Sequence, residues 1–194
     1  MHININLPVP FIPYEIEMPL NEKGNPAAEI IIDRELMKLS SKDFINWLDS
    51  LGVVTDGGRI FNSHPHKQYK LHIDGKNING DINKELTKLN FIFNSTDTFM
   101  TWYELLPGKI GKWSKNTLGI PVMYYDPNDC KILKRAPVNS NCLIRGDVIH
   151  DLNNGSNNGQ YRKCYSIILL KKSTGEKLPW NEAIEIFEPY LMVE

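Results

Sequence analysis

The sequence predicts a mainly β chain with flanking helices, a sandwich or jelly roll in one domain. Short apolar runs separated by turn residues occupy most of the chain between residues 58 and 170. Helical periodicity is confined to the ends, in the residues before Gly52 and again from Pro179 to Phe187. A length of 194 residues with 41% hydrophobic content is enough for one domain, residues 1–194, to build its own core. Residues 1–60 form its strand and helix region, and residues 179–188 its last helix.

Ile3, Ile5, Leu7 and Val9 alternate with polar or small residues, and Pro8, Pro10 and Pro13 restrict this segment to an edge strand or an extended arm. Residues 21–26, with Gly24, form a loop. The apolar run from Ala28 to Ile32 reads as a strand, or as a lead into a helix around residues 33–39. Ser40 and Asp43 have capping-box spacing, and Phe44, Ile45, Trp47, Leu48 and Leu51 make one apolar helix face that Gly52 ends. After the turn at Asp56, Gly57 and Gly58, candidate strands cover residues 69–73, 86–93, 98–105, 119–125, 141–144, 147–150 and 162–170. Turns are expected at Asn79-Gly80, Pro107-Gly108, Asp126-Pro127-Asn128 and residues 153–159.

A formal net charge of -1 gives no general reason to expect nucleic acid or an anionic membrane as partner. The basic stretches at residues 109–112 and 131–135 read as solvated faces. Three cysteines with no Cys-x-x-Cys pair argue against a disulfide framework and a thiolate zinc site, and point to a reducing compartment. Without a signal-peptide pattern or a spanning apolar stretch, a cytoplasmic location and no membrane partner are expected.

The chemistry centres on Tyr69-Lys-Leu-His-Ile-Asp74. His72 and Asp74 are two apart in a candidate strand, so both side chains point to one face. An imidazole and a carboxylate on one face are two parts of a 2-His-1-carboxylate iron site, and His150 is the distant candidate for the third. Arg162, Cys164 and Ser166 share a face of the last long strand, with Tyr165 and Ile167 on the other. A guanidinium there can grip a carboxylate bidentately, and Ser166 can add a hydroxyl. Taken singly, His150 also suits a turn-edge surface position, and Arg162 a surface charge opening a strand. Asn90, inside an apolar run, either faces a bound molecule or bonds a neighbouring strand. Of Trp102 and Tyr103 only one can face a cavity. His64-Pro65-His66 lacks the nearby carboxylate a rival metal site needs, and its proline favours a loop.

The order His-x-Asp, distant His and late Arg resembles the Fe(II)/2-oxoglutarate-dependent oxygenases. Leu89 to Asn94 with Thr98 to Glu104, Leu143 to His150, and Arg162 to Ile167 extend the resemblance to small phage and marine bacterial members. It covers roughly residues 69–170. The interval from Asp74 to His150 is on the long side, and Cys164 stands where many relatives have Ser. The resemblance implies a double-stranded β-helix (cupin-like jelly roll) and a dioxygenase hydroxylating an unidentified substrate, a small molecule or protein side chain. It implies iron on His72, Asp74 and His150, and 2-oxoglutarate held by Arg162 with Ser166 and Asn90. A non-enzymatic jelly-roll domain that binds a ligand or protein, or a metal-dependent isomerase, would suit the same pattern. Residues 75–85 and 153–159 are the candidate substrate-facing segments.

Overall fold

The computed structural model describes residues 2–11, 29–74, 86–93, 97–115, 121–155 and 161–192. Of the described residues 49% are strand and 21% helix, and the strands pair antiparallel throughout. In chain order the strands are β1 (His2–Asn4), β2 (Glu29–Asp33), β3 (Val53–Val54), β4 (Gly57–Ser63), β5 (Lys67–Gln68), β6 (His72–Ile73), β7 (Thr87–Phe93) and β8 (Thr98–Leu105). They continue with β9 (Lys112–Lys115), β10 (Pro121–Tyr124), β11 (Cys130–Pro137), β12 (Cys142–Arg145), β13 (Ile149–Asn154), β14 (Arg162–Ile168) and β15 (Leu170–Lys171). The helices are α1 (Arg34–Ser50) and α2 (Trp180–Phe187). None of the described helices is long and apolar enough to cross a membrane.

Six strands form one sheet in the order β1-β12-β7-β14-β4-β2. Its residues alternate between two buried faces. Leu143, Leu89, Phe91, Tyr165, Ile167, Ile60 and Ile32 point one way and pack with Phe44, Leu48, Ala183 and Phe187 of the helices. The other face looks toward a second sheet, in the order β11-β8-β13-β6-β10-β9, with β5 beside β13. Cys142 and Ile144 of the first sheet meet Met100, Trp102 and Ala136 of the second in a small apolar cluster. His2 closes that end by stacking on Trp102, with ring centroids 5.1 Å apart. The result is sandwich-like, with helices covering one outer face.

Several expected elements take a different form. The helices expected around residues 33–39 and from residue 40 to 51 are one helix, Arg34–Ser50, with a kink at Ser41, which has φ −131° and ψ 44°. The cap is Asp33, whose carboxylate accepts from the Leu36 N–H at 2.9 Å. Ser40 forms no capping box; its hydroxyl donates to the Met37 carbonyl. Gly52 ends the helix at φ +72°, as expected. The expected turn at residues 56–58 opens strand β4. Gly57 has φ +137°, and a Cβ there would sit 2.2 Å from the Ile32 carbonyl oxygen, so its glycine serves the pairing with β2. Strand β11 was not expected, because a register shift between Ile132 and Lys134 breaks its alternation. The loop expected at residues 21–26 and the turn at Asn79-Gly80 lie outside the described residues.

The core under the first sheet is aromatic. Phe91 is 1% exposed and lies 3.9 Å from the Phe11 ring centroid and 5.2 Å from that of Phe44. Phe91→Ala is expected to lower unfolding free energy by about 3–5 kcal/mol, read as a lower denaturant midpoint at unchanged slope.

Candidate metal centre

His72, Asp74 and His150 converge in the space between the sheets, each offering a ligand atom, all within 4.8 Å of one another. His150 comes from the middle of the second sheet and pairs directly with His72 in register. Of the expected strand over residues 69–73 only His72–Ile73 is strand, β6, which lies between β13 and β10; β5, ahead of it, pairs with β13. The Lys70 carbonyl accepts from His72 Nδ1 at 2.8 Å. The Val148 carbonyl accepts from His150 Nδ1 at 2.7 Å in the same way, and β13 runs from Ile149 to Asn154, past the expected end at His150.

These two bonds set the chemistry of the rings. A carbonyl oxygen only accepts, so each Nδ1 carries a hydrogen, and Nε2 is the ring nitrogen each histidine turns to the centre, able to ligate when the ring is neutral. Metal-binding imidazoles are commonly oriented this way. The two rings lie 4.6 Å apart, centroid to centroid. Asp74, one residue past the end of β6, is fixed by its N–H, which donates to the Gly146 carbonyl at 2.8 Å. One of its oxygens is 3.7 Å from His72 Nε2, and the other is 3.3 Å from His150 Nε2. A Cβ at Gly146 would lie 3.1 Å from the Asp74 Cβ and 3.3 Å from its Oδ2.

Lys88 is 8% exposed and places its ammonium 2.8 Å from Asp74 Oδ2. Burial opposes ionisation of Asp74, but Lys88, then His150 and His72, outweigh it and hold the carboxyl well below the usual range. Burial, then the neighbouring His150, lowers His72 to about 4, against the pull of Asp74 and the Lys70 carbonyl.

The pocket around the triad is lined from the first sheet by Lys88, Asn90, Arg162, Cys164 and Ser166. The expected common face of Arg162, Cys164 and Ser166 is present, with Tyr165 and Ile167 in the opposite core. Ser166 pairs with Asn90 across the strands, and the Asn90 Oδ1 has no hydrogen-bond partner among the described residues. Arg162 is 2% exposed, and its Nε likewise lacks a partner. Its charge acts on the Tyr69 hydroxyl and on the thiols of Cys142 and Cys164, none of them a carboxylate. Burial pushes Tyr69 above the usual phenol range, while a hydrogen bond with Ser63 and the Arg162 charge oppose this. Burial pushes Cys142 up to about 12, so it sits in the apolar cluster beside the pocket as a neutral thiol.

Trp102 points between the sheets and is fully buried, whereas Tyr103 points outward and donates to Asp151 at 2.9 Å. His64 and His66 lie in a loop, His66 at φ +55°. The site residues that sequence reasoning missed are Lys88, Tyr69 and Ser63. Lys88 had a usable signal: with Asn90 it interrupts an apolar run at a spacing of two, which puts both on one face. Residues 75–85 lie outside the described residues, as do 156–159 of the other candidate substrate-facing segment. No protein-family model and no curated protein matches the chain.

Two outcomes follow from this geometry. Gly146→Ala should weaken Mn(II) binding by about tenfold while the fold is kept, because the added methyl displaces Asp74; unchanged affinity would mean the carboxylate is free to adjust. The unfolded chain protonates His72 below about pH 6.5, whereas the folded chain resists until about 4. Stability carried by neutral His72 is therefore present above pH 6.5 and lost progressively down to pH 4. In urea melts between pH 7 and 4.5, His72→Asn should lose less stability than the parent.

Proposed function

We propose that this chain is an Fe(II)/2-oxoglutarate-dependent dioxygenase on a double-stranded β-helix, hydroxylating an unidentified substrate. The observation that carries the reading is one pocket holding both halves of the required chemistry. Two Nε2 atoms and a carboxylate meet at one point, and a buried guanidinium with a spare donor faces the same space. His72, Asp74 and His150 are the ligands for iron, a set that leaves further coordination positions open. Bound iron supplies the chemistry that couples decarboxylation of 2-oxoglutarate, to succinate and carbon dioxide, with oxygen insertion into a substrate C–H bond.

Around that centre the chain's own residues bind and orient. Arg162 receives the far carboxylate of 2-oxoglutarate, with the hydroxyls of Tyr69 and Ser63 at its side. Ser166 and Asn90 face the middle of the pocket and supply polar contacts to the cosubstrate there. Met100, Ile144 and Leu152 line the pocket with apolar surface and limit water around the reacting carbon.

A non-enzymatic binding domain is the second reading, and one observation favours it. The Lys88 ammonium already neutralises Asp74, so the carboxylate has a partner without any metal.

Anaerobic titration with Fe(II) and 2-oxoglutarate separates the two. The oxygenase reading expects a weak visible charge-transfer band that needs both components and is absent in His72→Ala. Arg162→Met should keep Fe(II) binding but raise the 2-oxoglutarate Kd at least about thirtyfold, since a buried charge loses its partner. No band with folded protein would favour the binding domain.

A further inference from the structure

The pocket contains more positive charge than iron and 2-oxoglutarate account for. Among its described lining residues the only carboxylate is Asp74, and it faces two cations, Lys88 and Arg162. A divalent ion adds two positive charges and the 2-oxoglutarate dianion removes two, so the described lining of the loaded pocket keeps an excess of one cation. Both cations are almost wholly buried, and a buried charge left without a counter-charge is strongly unfavourable.

The uncompensated cation is Lys88. It lies on β7 opposite Ile168, whereas Arg162 begins β14, six positions along the same pair of strands. At ~3.3 Å per residue their α-carbons are separated by roughly 20 Å along the sheet. Asn90, Ser166 and Cys164 occupy the row between them, beneath the triad. A cosubstrate that chelates the metal and reaches Arg162 extends to one flank, and Lys88 stays on the other. Metal ligation also draws on the Asp74 carboxylate, the one anion that Lys88 contacts among the described residues. Lys177, half-buried and joined to Leu170 by a single bridge, lies within range of Lys88's charge, and burial followed by that charge holds its ammonium below the usual lysine range.

Building on the oxygenase reading, we propose that Lys88 is the anchor for an oxyanion, a carboxylate or phosphate, carried by the primary substrate. The substrate then approaches from the flank opposite 2-oxoglutarate, and its anionic group takes the place at the lysine that Asp74 vacates toward the metal. Lys88 thereby becomes a specificity-determining residue: neutral analogues of the substrate leave a buried ammonium unpaired and bind poorly.

The probe is inorganic phosphate, followed by 31P relaxation with the protein carrying Mn(II) and 2-oxoglutarate, at constant ionic strength and with protein in excess of Mn(II). Mn(II) uptake is read separately from loss of the free-ion EPR signal, and 2-oxoglutarate uptake by calorimetry. The expected result is saturable relaxation of phosphate in the parent protein, at least tenfold weaker in Lys88→Met and retained in Lys88→Arg. Both variants should still take up Mn(II) and 2-oxoglutarate, and circular dichroism should show both folded. Equal relaxation in Lys88→Met, or none in a parent protein that holds both Mn(II) and 2-oxoglutarate, overturns the role of Lys88 and leaves the oxygenase reading standing. A parent protein that takes up neither Mn(II) nor 2-oxoglutarate overturns the oxygenase reading, and this inference with it.

Discussion

Each ligand imidazole is held by a carbonyl two residues before it in the chain, His72 by Lys70 and His150 by Val148. The centre depends on this pair of bonds. They put a hydrogen on each Nδ1 and aim both Nε2 atoms at one point. Asp74 is placed by a different device, the close approach of Gly146, whose carbonyl accepts from the Asp74 backbone N–H and whose missing side chain leaves the carboxylate room to turn inward.

The six-stranded sheet makes the arrangement stable because its two faces have separate tasks. Leu89, Phe91, Tyr165 and Ile167 build an aromatic and aliphatic core with the helices, and Lys88, Asn90, Arg162, Cys164 and Ser166 of the same two strands face the pocket. Side chains alternate at every residue, so one strand can anchor the fold and present polar chemistry at once. Burial of the apolar face offsets the cost of desolvating the polar one. The same constraint keeps the charges among the described pocket residues few: Asp74 has Lys88 beside it, while Arg162 has no carboxylate partner there.

Much of this was legible in the sequence where the signal was periodic. His72 and Asp74 at a spacing of two, and Arg162, Cys164 and Ser166 alternating with Tyr165 and Ile167, mapped directly onto faces. The limits of β8, at Thr98 and Leu105, were readable for the same reason. What periodicity does not encode was lost. The bulge in β11 hid a strand, the kink at Ser41 split one helix into two, and the paired glycines at residues 57 and 58 looked like a turn although they serve a close strand approach. Lys88 was passed over because a single lysine in an apolar run reads as an interruption; beside Asn90 it is half of a polar face. Neither the Lys88–Asp74 pair nor the stack of His2 on Trp102 could be read, since each joins residues from distant parts of the chain.

The most direct test of the proposed centre counts its imidazoles. Cu(II) bound to the protein, examined by electron spin-echo modulation, reports the remote ring nitrogen of each histidine ligand. Two equivalent imidazoles in the parent protein, reduced to one in His72→Ala and in His150→Ala, are the predicted result. Modulation from fewer than two imidazoles, or a pattern that neither substitution alters, would contradict a metal centre built from these residues.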